Sequence, residues 1–293
     1  MNNIITVITP SYNQGQFIEA TILSVISQTG NFYIDYIIAD GLSSDQSVSI
    51  IKKYDNLIKN NQYPIKCLGV SYRWWSRKDH GQTNAVNLGL QIAEGDLISW
   101  LNSDDYLEPN ALTKVLKEFF SHPDCNLIYG NGYILNESTG HKKILPARPG
   151  DFITFLRRGH DICQPAAFFT KRIINQVGPL DESLNYAFDY EFWLRILKAS
   201  SSHYFPEVLA TFRLWPNSKT SSHQNKFLEE RKLIFKKYGG NFIDPKTVYA
   251  LRSKIPFSNL IRRRFPTFYN LIKKILWSLI DRLHYRNKDT RRQ

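Results

Sequence analysis

Gly95-Asp96-Leu97-Ile98-Ser99-Trp100-Leu101-Asn102-Ser103-Asp104-Asp105 is the stretch whose reading decides the fold. The apolar run Leu97–Leu101 reads as a buried strand. Gly95 before it breaks the helical pattern of Gln82–Ala93. The strand stops abruptly on four polar residues, the last two of them acids. Adjacent carboxylates at a strand end would repel each other and lack solvation unless something positive is shared. A hard divalent cation, Mn²⁺ or Mg²⁺, meets that need, because it takes oxygen ligands and is often completed by substrate phosphates. The alternative is a solvated turn ahead of a helix whose start Pro109 marks.

Upstream, strand and helix alternate in the same way. Ile4–Thr9 is a β-branched run, followed by turn chemistry at Pro10-Ser11-Tyr12-Asn13-Gln14-Gly15. Phe17, Ile18, Ile22, Val25 and Ile26 then recur at helical spacing. A second strand, Ile34–Ala39, ends on Asp40-Gly41, and Ser44 or Asp45 caps the helix that carries Val48, Ile51 and Tyr54. A third strand is expected near Ile65–Tyr72, with Trp74-Trp75 in a loop as packing or as a stacking surface. The alternation predicts an α/β fold with a mostly parallel sheet flanked by helices and a site at the strand C-terminal ends. Downstream the pattern is less regular. Strands are expected at Leu127–Gly132 and Ala166–Thr170, a helix at Asp189–Ala199, and a break near Gly239-Gly240.

No GxGxxG or GxxxxGK[ST] loop occurs, so phosphate would be held through a metal. Asp40 at a strand end suits a ribose hydroxyl or a base N–H; an Asx turn is the other reading. Asp79 to Gly89 opens a helix whose N–H groups suit an anion or a ribose. Equally, Asp79 is a plain helix cap. Three scattered cysteines (Cys67, Cys125, Cys163) form no disulfide framework or CxxC pair, which suits a reducing compartment. No secretory leader and no membrane-spanning run is visible.

The chain has 293 residues and a net charge of +12. Residues 246–293 hold 13 Lys+Arg against two acids, Asp281 and Asp289, a net +11, so residues 1–245 carry only +1. That distribution disfavours a fold-wide nucleic-acid surface. After Pro266, Phe268, Leu271, Ile272, Ile275, Leu276, Leu279, Ile280 and Leu283 recur at helical spacing among Lys273, Lys274, Arg282 and Arg286. A basic amphipathic helix of this kind suits an anionic membrane surface; packing on the rest of the chain is the other reading. The expected division is a main domain at 1–240 and a basic helical tail at 241–293.

Four segments, in order, resemble the family 2 glycosyltransferases of GT-A fold: ITVITPSYNQ (5–14), IIADGLSSD (37–45), DHGQTNAVNLGLQIAEGDLISWLNSDD (79–105) and GPLDESLNYAFDYEFWLRI (178–196). The resemblance spans about residues 4–220. Within 1–240 it implies a catalytic domain with a nucleotide-binding half at 1–105 and an acceptor half at 106–240. It implies an inverting, metal-dependent hexosyltransferase-type enzyme that takes a nucleotide-diphosphate sugar and a glycan or lipid-linked acceptor. Cell-surface polysaccharide synthesis is the implied setting. The implied place is cytoplasmic, peripheral on the inner face of the cell membrane through residues 257–293, with no nucleic-acid partner. Asp40 would contact the base over a floor of Pro10, Ser11 and Tyr12. Asp79 and Gln82 would lie near the nucleotide or sugar. Asp104 would be the main ligand of a Mn²⁺ or Mg²⁺ ion, with Asp105 beside it. Arg213 and Lys219 would be cations near the diphosphate, and Asp189 would be the base, with Glu191 a weaker candidate. Gln164 would meet an acceptor hydroxyl, or simply follow a strand into the core. Three positions depart from the family's pattern: Asn102 and Phe188 where acids are common, and Trp215 where a His is common. The rival class is a non-catalytic binder of nucleotide-sugars or, through the tail, of nucleic acid.

Overall fold

The computed structural model describes residues 3–158 and 162–238. The expected tail, 241–293, and its membrane-facing part, 257–293, lie outside the described residues. The chain divides into two compact units, Met1–Gln224 and Asn225–Gln293.

The first unit is built on one sheet. β1 (Ile4–Ser11), β2 (Tyr33–Asp40), β3 (Gly69–Ser76) and β4 (Leu97–Trp100) form its parallel half, in the order β3-β2-β1-β4. The register brings Ser11, Asp40 and Ser76 into one row at the strand ends. The other half is mixed. β5 (Tyr106–Leu107), β6 (Cys125–Asn136), β7 (Lys142–Leu145), β8 (Ala167–Thr170) and β9 (Ser201–Leu214) pair antiparallel except for β6 with β9. The helices of this unit are α1 (Ile18–Ile26), α2 (Ser47–Lys59), α3 (Gln82–Ile92), α4 (Ala111–Ser121), α5 (Phe152–Arg158), α6 (Lys171–Val177), α7 (Phe188–Ala199) and α8 (Lys219–Ser222). Helix α9 (Gln224–Lys237) falls almost wholly in the second unit.

β1, β2 and β4 are buried on both faces, as helix-covered strands must be, whereas β3 at the sheet edge is only partly buried. Ile5, Val7, Ile8, Ile37, Ile38 and Trp100 are all inaccessible to solvent. Trp100 stacks on Trp193 of α7 at 5.1 Å, which ties α7 to the sheet. Gly95 is where α3 turns into β4: a Cβ there would lie 2.6 Å from Thr6 N and 2.7 Å from Ile4 O, so only glycine lets the backbones approach.

The third strand is at Gly69–Ser76, four residues beyond the expected Ile65–Tyr72. Pairing fixes the shift, because Tyr33 sits opposite Gly69 and Asp40 opposite Ser76. Trp74 and Trp75 are therefore strand residues, and Trp74 Nε1 donates to Asp55 Oδ2 at 3.0 Å. The residue that precedes α2 is Gln46, with no side-chain cap, so neither Ser44 nor Asp45 caps the helix. Asp45 Oδ1 accepts the Ser47 N–H, while its Oδ2 accepts the Gly15 N–H at 2.7 Å, joining the two loops above the sheet.

One buried acid holds this half together. Asp35, 1% exposed, accepts from Thr6 Oγ1 (2.8 Å) and the Glu94 N–H (3.0 Å) on one oxygen. Its other oxygen accepts from the Arg73 guanidinium at 2.5 Å. Asp35 thus joins β1, β2, β3 and the turn into β4. Asp35→Ala should lower unfolding free energy by about 3 kcal/mol, because it strands a buried network rather than removing a surface pair. Urea denaturation checks this; a loss below about 1 kcal/mol would show that the network carries little.

Candidate functional site

The strand ends open into a cavity of about 530 Å³. Its floor is Pro10, Ser11 and Tyr12 at the end of β1. One side is Asp79, Gly81 and Gln82, where α3 begins; the other is Asn102, Ser103 and Asp104, where β4 ends. The end of β9 and α8 close it with Trp215, Ser218 and Lys219. Alternating parallel strands and helices direct these loops to one edge, which is why residues far apart in sequence meet here.

Seven of the expected site residues line this cavity: Pro10, Ser11, Tyr12, Asp79, Gln82, Asp104 and Lys219. Asp40, Asp105, Arg213 and Asp189 do not. Asp40 is wholly buried and enclosed by hydroxyls. Its Oδ2 accepts from Ser76 Oγ (2.6 Å) and the Ser43 N–H (2.9 Å), and its Oδ1 accepts from Ser43 Oγ (2.5 Å). It shapes the loop rather than facing the opening. Next to it, a Cβ on Gly41 would come within 2.9 Å of Asp79 Oδ2, so the glycine makes room for the Asp79 carboxylate.

Asp104 and Asp105 point to opposite sides of the turn. Asp105 is fully buried; its Oδ1 accepts the Arg213 N–H at 2.8 Å and its Oδ2 accepts from Asn102 Nδ2 at 3.3 Å. Burial pushes its carboxyl well above the ordinary range, and the Asp104 charge adds to that. Of the two expected metal ligands, only Asp104 reaches the cavity. Burial raises its carboxyl too, against the pull of Trp215, Arg213 and Lys219. Trp215 Nε1 donates to Asp104 Oδ2 at 2.9 Å.

Arg213 is a brace. It is 9% exposed, its Nε donates to the Asp104 carbonyl (2.8 Å), and its Nη1 pairs with Glu137 (2.6 Å). The guanidinium lies over the Phe17 ring, 4.7 Å from its centre. Lys219 is the cation that does line the cavity, with Nζ donating to Gln82 Oε1 at 2.9 Å. Lys78 joins it in the wall.

Asn102 completes a chain of amides. Gln82 Nε2 donates to Asn102 Oδ1 (2.6 Å), and Asn102 Nδ2 donates to Gln164 Oε1 (3.1 Å) as well as to Asp105. Gln164 Nε2 then donates to the Trp100 carbonyl at 2.7 Å. Gln164 is therefore spent on holding the turn. Asp189 lies in the first turn of α7, where its Oδ1 accepts the Tyr190 N–H at 2.7 Å. The preceding loop closes on α3, with Thr83 Oγ1 donating to the Leu184 carbonyl and Asn84 Nδ2 to Glu182. The Asn185 carbonyl accepts from Lys219 at 3.3 Å, so this loop borders the cavity mouth. Glu191, wholly buried, is paired with Arg195 at 2.8 Å.

Gln14, not expected from the sequence, also belongs to the site. Both Ser11 Oγ and Gln14 Oε1 are buried in the cavity wall with no hydrogen-bond partner among the described residues. A buried unpaired polar atom costs about 1–3 kcal/mol, so these two atoms suit a ligand's polar groups. Nothing in the local sequence separates Gln14 from an ordinary turn residue.

The wall fits a divalent ion held by one carboxylate and completed by phosphate oxygens, the usual arrangement for Mg²⁺. Asp104 would be that carboxylate. The Asn102 oxygen is turned to Gln82, and an indole N–H has no lone pair to offer.

The sequence profile of Glycosyl transferase family 2 matches residues 6–178. An uncharacterized glycosyltransferase of Rickettsia typhi is 25% identical over 244 residues, covering 79% of this chain and 70% of its own length. One from Mycobacterium tuberculosis is 26% identical over 192 residues, covering 65% and 68%. Among solved structures, Staphylococcus aureus TarS 1–349 in complex with UDP-GlcNAc superposes with a TM-score of 0.58 at 16% identity, covering 90% of this chain and 76% of that one. The Pyrobaculum calidifontis mannosyltransferase PcManGT, in complex with GDP-Man and Mn²⁺, gives 0.57 at 14% identity, covering 94% and 79%. These structures share the GT-A fold.

Two consequences of the buried turn can be measured. Asn102→Asp would replace the donor to Asp105 and Gln164 with a further carboxylate, so stability at neutral pH should fall by about 1–3 kcal/mol. Unchanged stability by urea denaturation would show that the amide chain is dispensable. The second concerns pH. A carboxyl raised in the fold binds its proton more tightly folded than unfolded. Its stabilising contribution is full below the unfolded value, about 4, and is lost as pH rises towards the raised folded value. Asp105→Asn should flatten that decline, and an identical pH–stability profile would contradict it.

Proposed function

The chain belongs to glycosyl transferase family 2, and from that premise we propose that it moves a sugar, with inversion, from a nucleotide-diphosphate donor to an acceptor hydroxyl. The observation that carries this is the grouping of Ser11, Gln14, Asp79, Gln82, Asp104 and Lys219 around one cavity at the strand ends. Ser11 and Gln14 supply unpaired polar atoms for the nucleoside. Tyr12, 63% exposed at the cavity, supplies an aromatic face for the base. Lys219 and Lys78 supply positive charge for the diphosphate.

Asp104 would hold Mn²⁺ or Mg²⁺ together with the donor phosphates. When bound, such an ion stabilises the charge that develops on the leaving diphosphate. Trp215 orients the Asp104 carboxylate, and Gln82 positions Lys219 against the same side. Asp189, at the start of α7 beside the loop that borders the mouth, would take the proton from the attacking hydroxyl. Glu191 is unsuited to that task because its charge is committed to Arg195.

The acceptor we propose is a glycan or lipid-linked saccharide in cell-surface polysaccharide synthesis. No described helix is long and apolar enough to cross a membrane. The basic amphipathic pattern of residues 257–293 supports a peripheral position on an anionic inner membrane face. Flotation of the full chain with anionic liposomes, but not with neutral ones, is the expected result. Failure to float with anionic vesicles would remove the membrane reading and leave the transfer reading intact.

A thermal-shift screen of nucleoside diphosphates and their sugars with Mn²⁺ and Mg²⁺ tests the donor class. Asp189→Asn should lower kcat by about 10²- to 10⁴-fold while donor affinity stays within about twofold. Full activity in this variant would remove Asp189 as the base. Gln14→Leu should weaken nucleotide binding by about tenfold, since it removes a desolvated partner. Equal affinity by calorimetry would place the nucleoside elsewhere.

A further inference from the structure

We propose a second metal site, separate from the donor cavity, in which Glu118, His122 and His203 hold one zinc ion. Glu118 lies in the last turn of α4, His122 immediately follows that helix, and His203 lies on β9 opposite Ile128 of β6. None of the three lines the cavity. One ligand atom from each lies within 4.8 Å of the other two. His203 Nε2 is 3.0 Å from Glu118 Oε2, and His122 Nδ1 is 3.7 Å from that oxygen. Zinc bound at about 2.0–2.2 Å in a tetrahedron spaces its ligand atoms by about 3.5 Å. The Glu118–His203 spacing is close to that, and a turn of one imidazole completes the set around an ion.

The donor types match a borderline transition metal. Two imidazoles and one carboxylate are a zinc set that leaves the fourth position open, whereas Mn²⁺ and Mg²⁺ favour all-oxygen surroundings. The protein also orients the ligands. His122 Nδ1 is 3.0 Å from the Glu118 carbonyl, which can only accept. With Nδ1 spent on that carbonyl, the His122 lone pair is on Nε2, and the ring has to turn to present it to an ion. The rings of His122 and His203 lie face to face with centres 3.5 Å apart, and on its other side His203 is flanked by the parallel ring of Phe205. One imidazole must turn about its Cβ–Cγ bond to share the ion, and His122, beyond the helix end, is the less packed of the two. The negative end of α4 further favours a cation here. Glu118 and His203 are each 24% exposed and His122 is 36% exposed, so an ion can enter while its ligands stay partly desolvated.

Such an ion would staple the end of α4 to β9, the strand that also carries Arg213 and Trp215 into the catalytic turn. The test uses the full chain, stripped of metal and titrated with zinc chloride by calorimetry, with zinc counted by atomic absorption. One zinc per chain is expected, with the thermal midpoint raised by several degrees. Glu118→Gln and His122→Ala should each weaken zinc binding by at least about tenfold with an unchanged circular dichroism spectrum. Asp104→Asn should bind zinc as the wild type does. Cobalt(II) in place of zinc should give the visible bands of a four-coordinate ion in the wild type and lose them in Glu118→Gln, which is nearly the same size and shape. The proposal is overturned if the wild type binds no zinc, if both ligand variants bind it unchanged, or if Asp104→Asn alone loses it.

Discussion

Two neighbouring carboxylates facing opposite ways are the constraint on which the site rests. Asp105 is inside, held by the Arg213 N–H and by Asn102, so Asp104 has to face the cavity. Thr21 of α1 fastens the same turn from beneath, its hydroxyl in contact with the Ser103 carbonyl at 2.9 Å and the Asp105 carbonyl at 2.7 Å. The turn is thus gripped by α1, by β9 and by the Gln164 amide. A carboxylate placed by this many contacts loses little freedom on meeting a ligand, which is what preorganised sites require.

The departures at Asn102 and Trp215 have a common physical sense. An amide both donates and accepts, so Asn102 links Gln82 to Gln164 and still donates to the buried Asp105. A carboxylate at that position would offer only acceptors beside an acid that burial already disfavours. Trp215 supplies an N–H to Asp104 and an aromatic body that meets Phe17 at 5.2 Å. The turn thereby presents one carboxylate to the cavity, Asp104, in a wall that also holds Lys219.

Much of the first half was legible. Strands end where polar residues begin, and the helices between them carry apolar residues at helical spacing, so β1, β2, β4 and α3 fall where the local pattern puts them. The third strand did not, because its limits come from pairing with β2 and not from the local pattern around Pro64. The mixed half was harder. β6 pairs with β8 and β9 across long stretches of chain, and a short strand such as Tyr106–Leu107 carries almost no signal of its own.

The sequence by itself determined the order of the strands and helices in the first half. It also determined which acids stand at the strand ends and the family's ordered motifs, since these depend on residue type and spacing alone. Only the tertiary structure decided which of those acids meet solvent. Asp40 and Asp104 occupy similar places at strand ends, yet one is enclosed by Ser43 and Ser76 and the other lines the cavity. Arg213 reads as a free cation but is drawn inward to Asp104, Glu137 and Phe17. Gln14 reads as turn filler but has a buried oxygen in the cavity wall. The reason is that burial and hydrogen-bond partners come from segments distant in sequence, and they set whether a polar group supports the fold or faces a ligand.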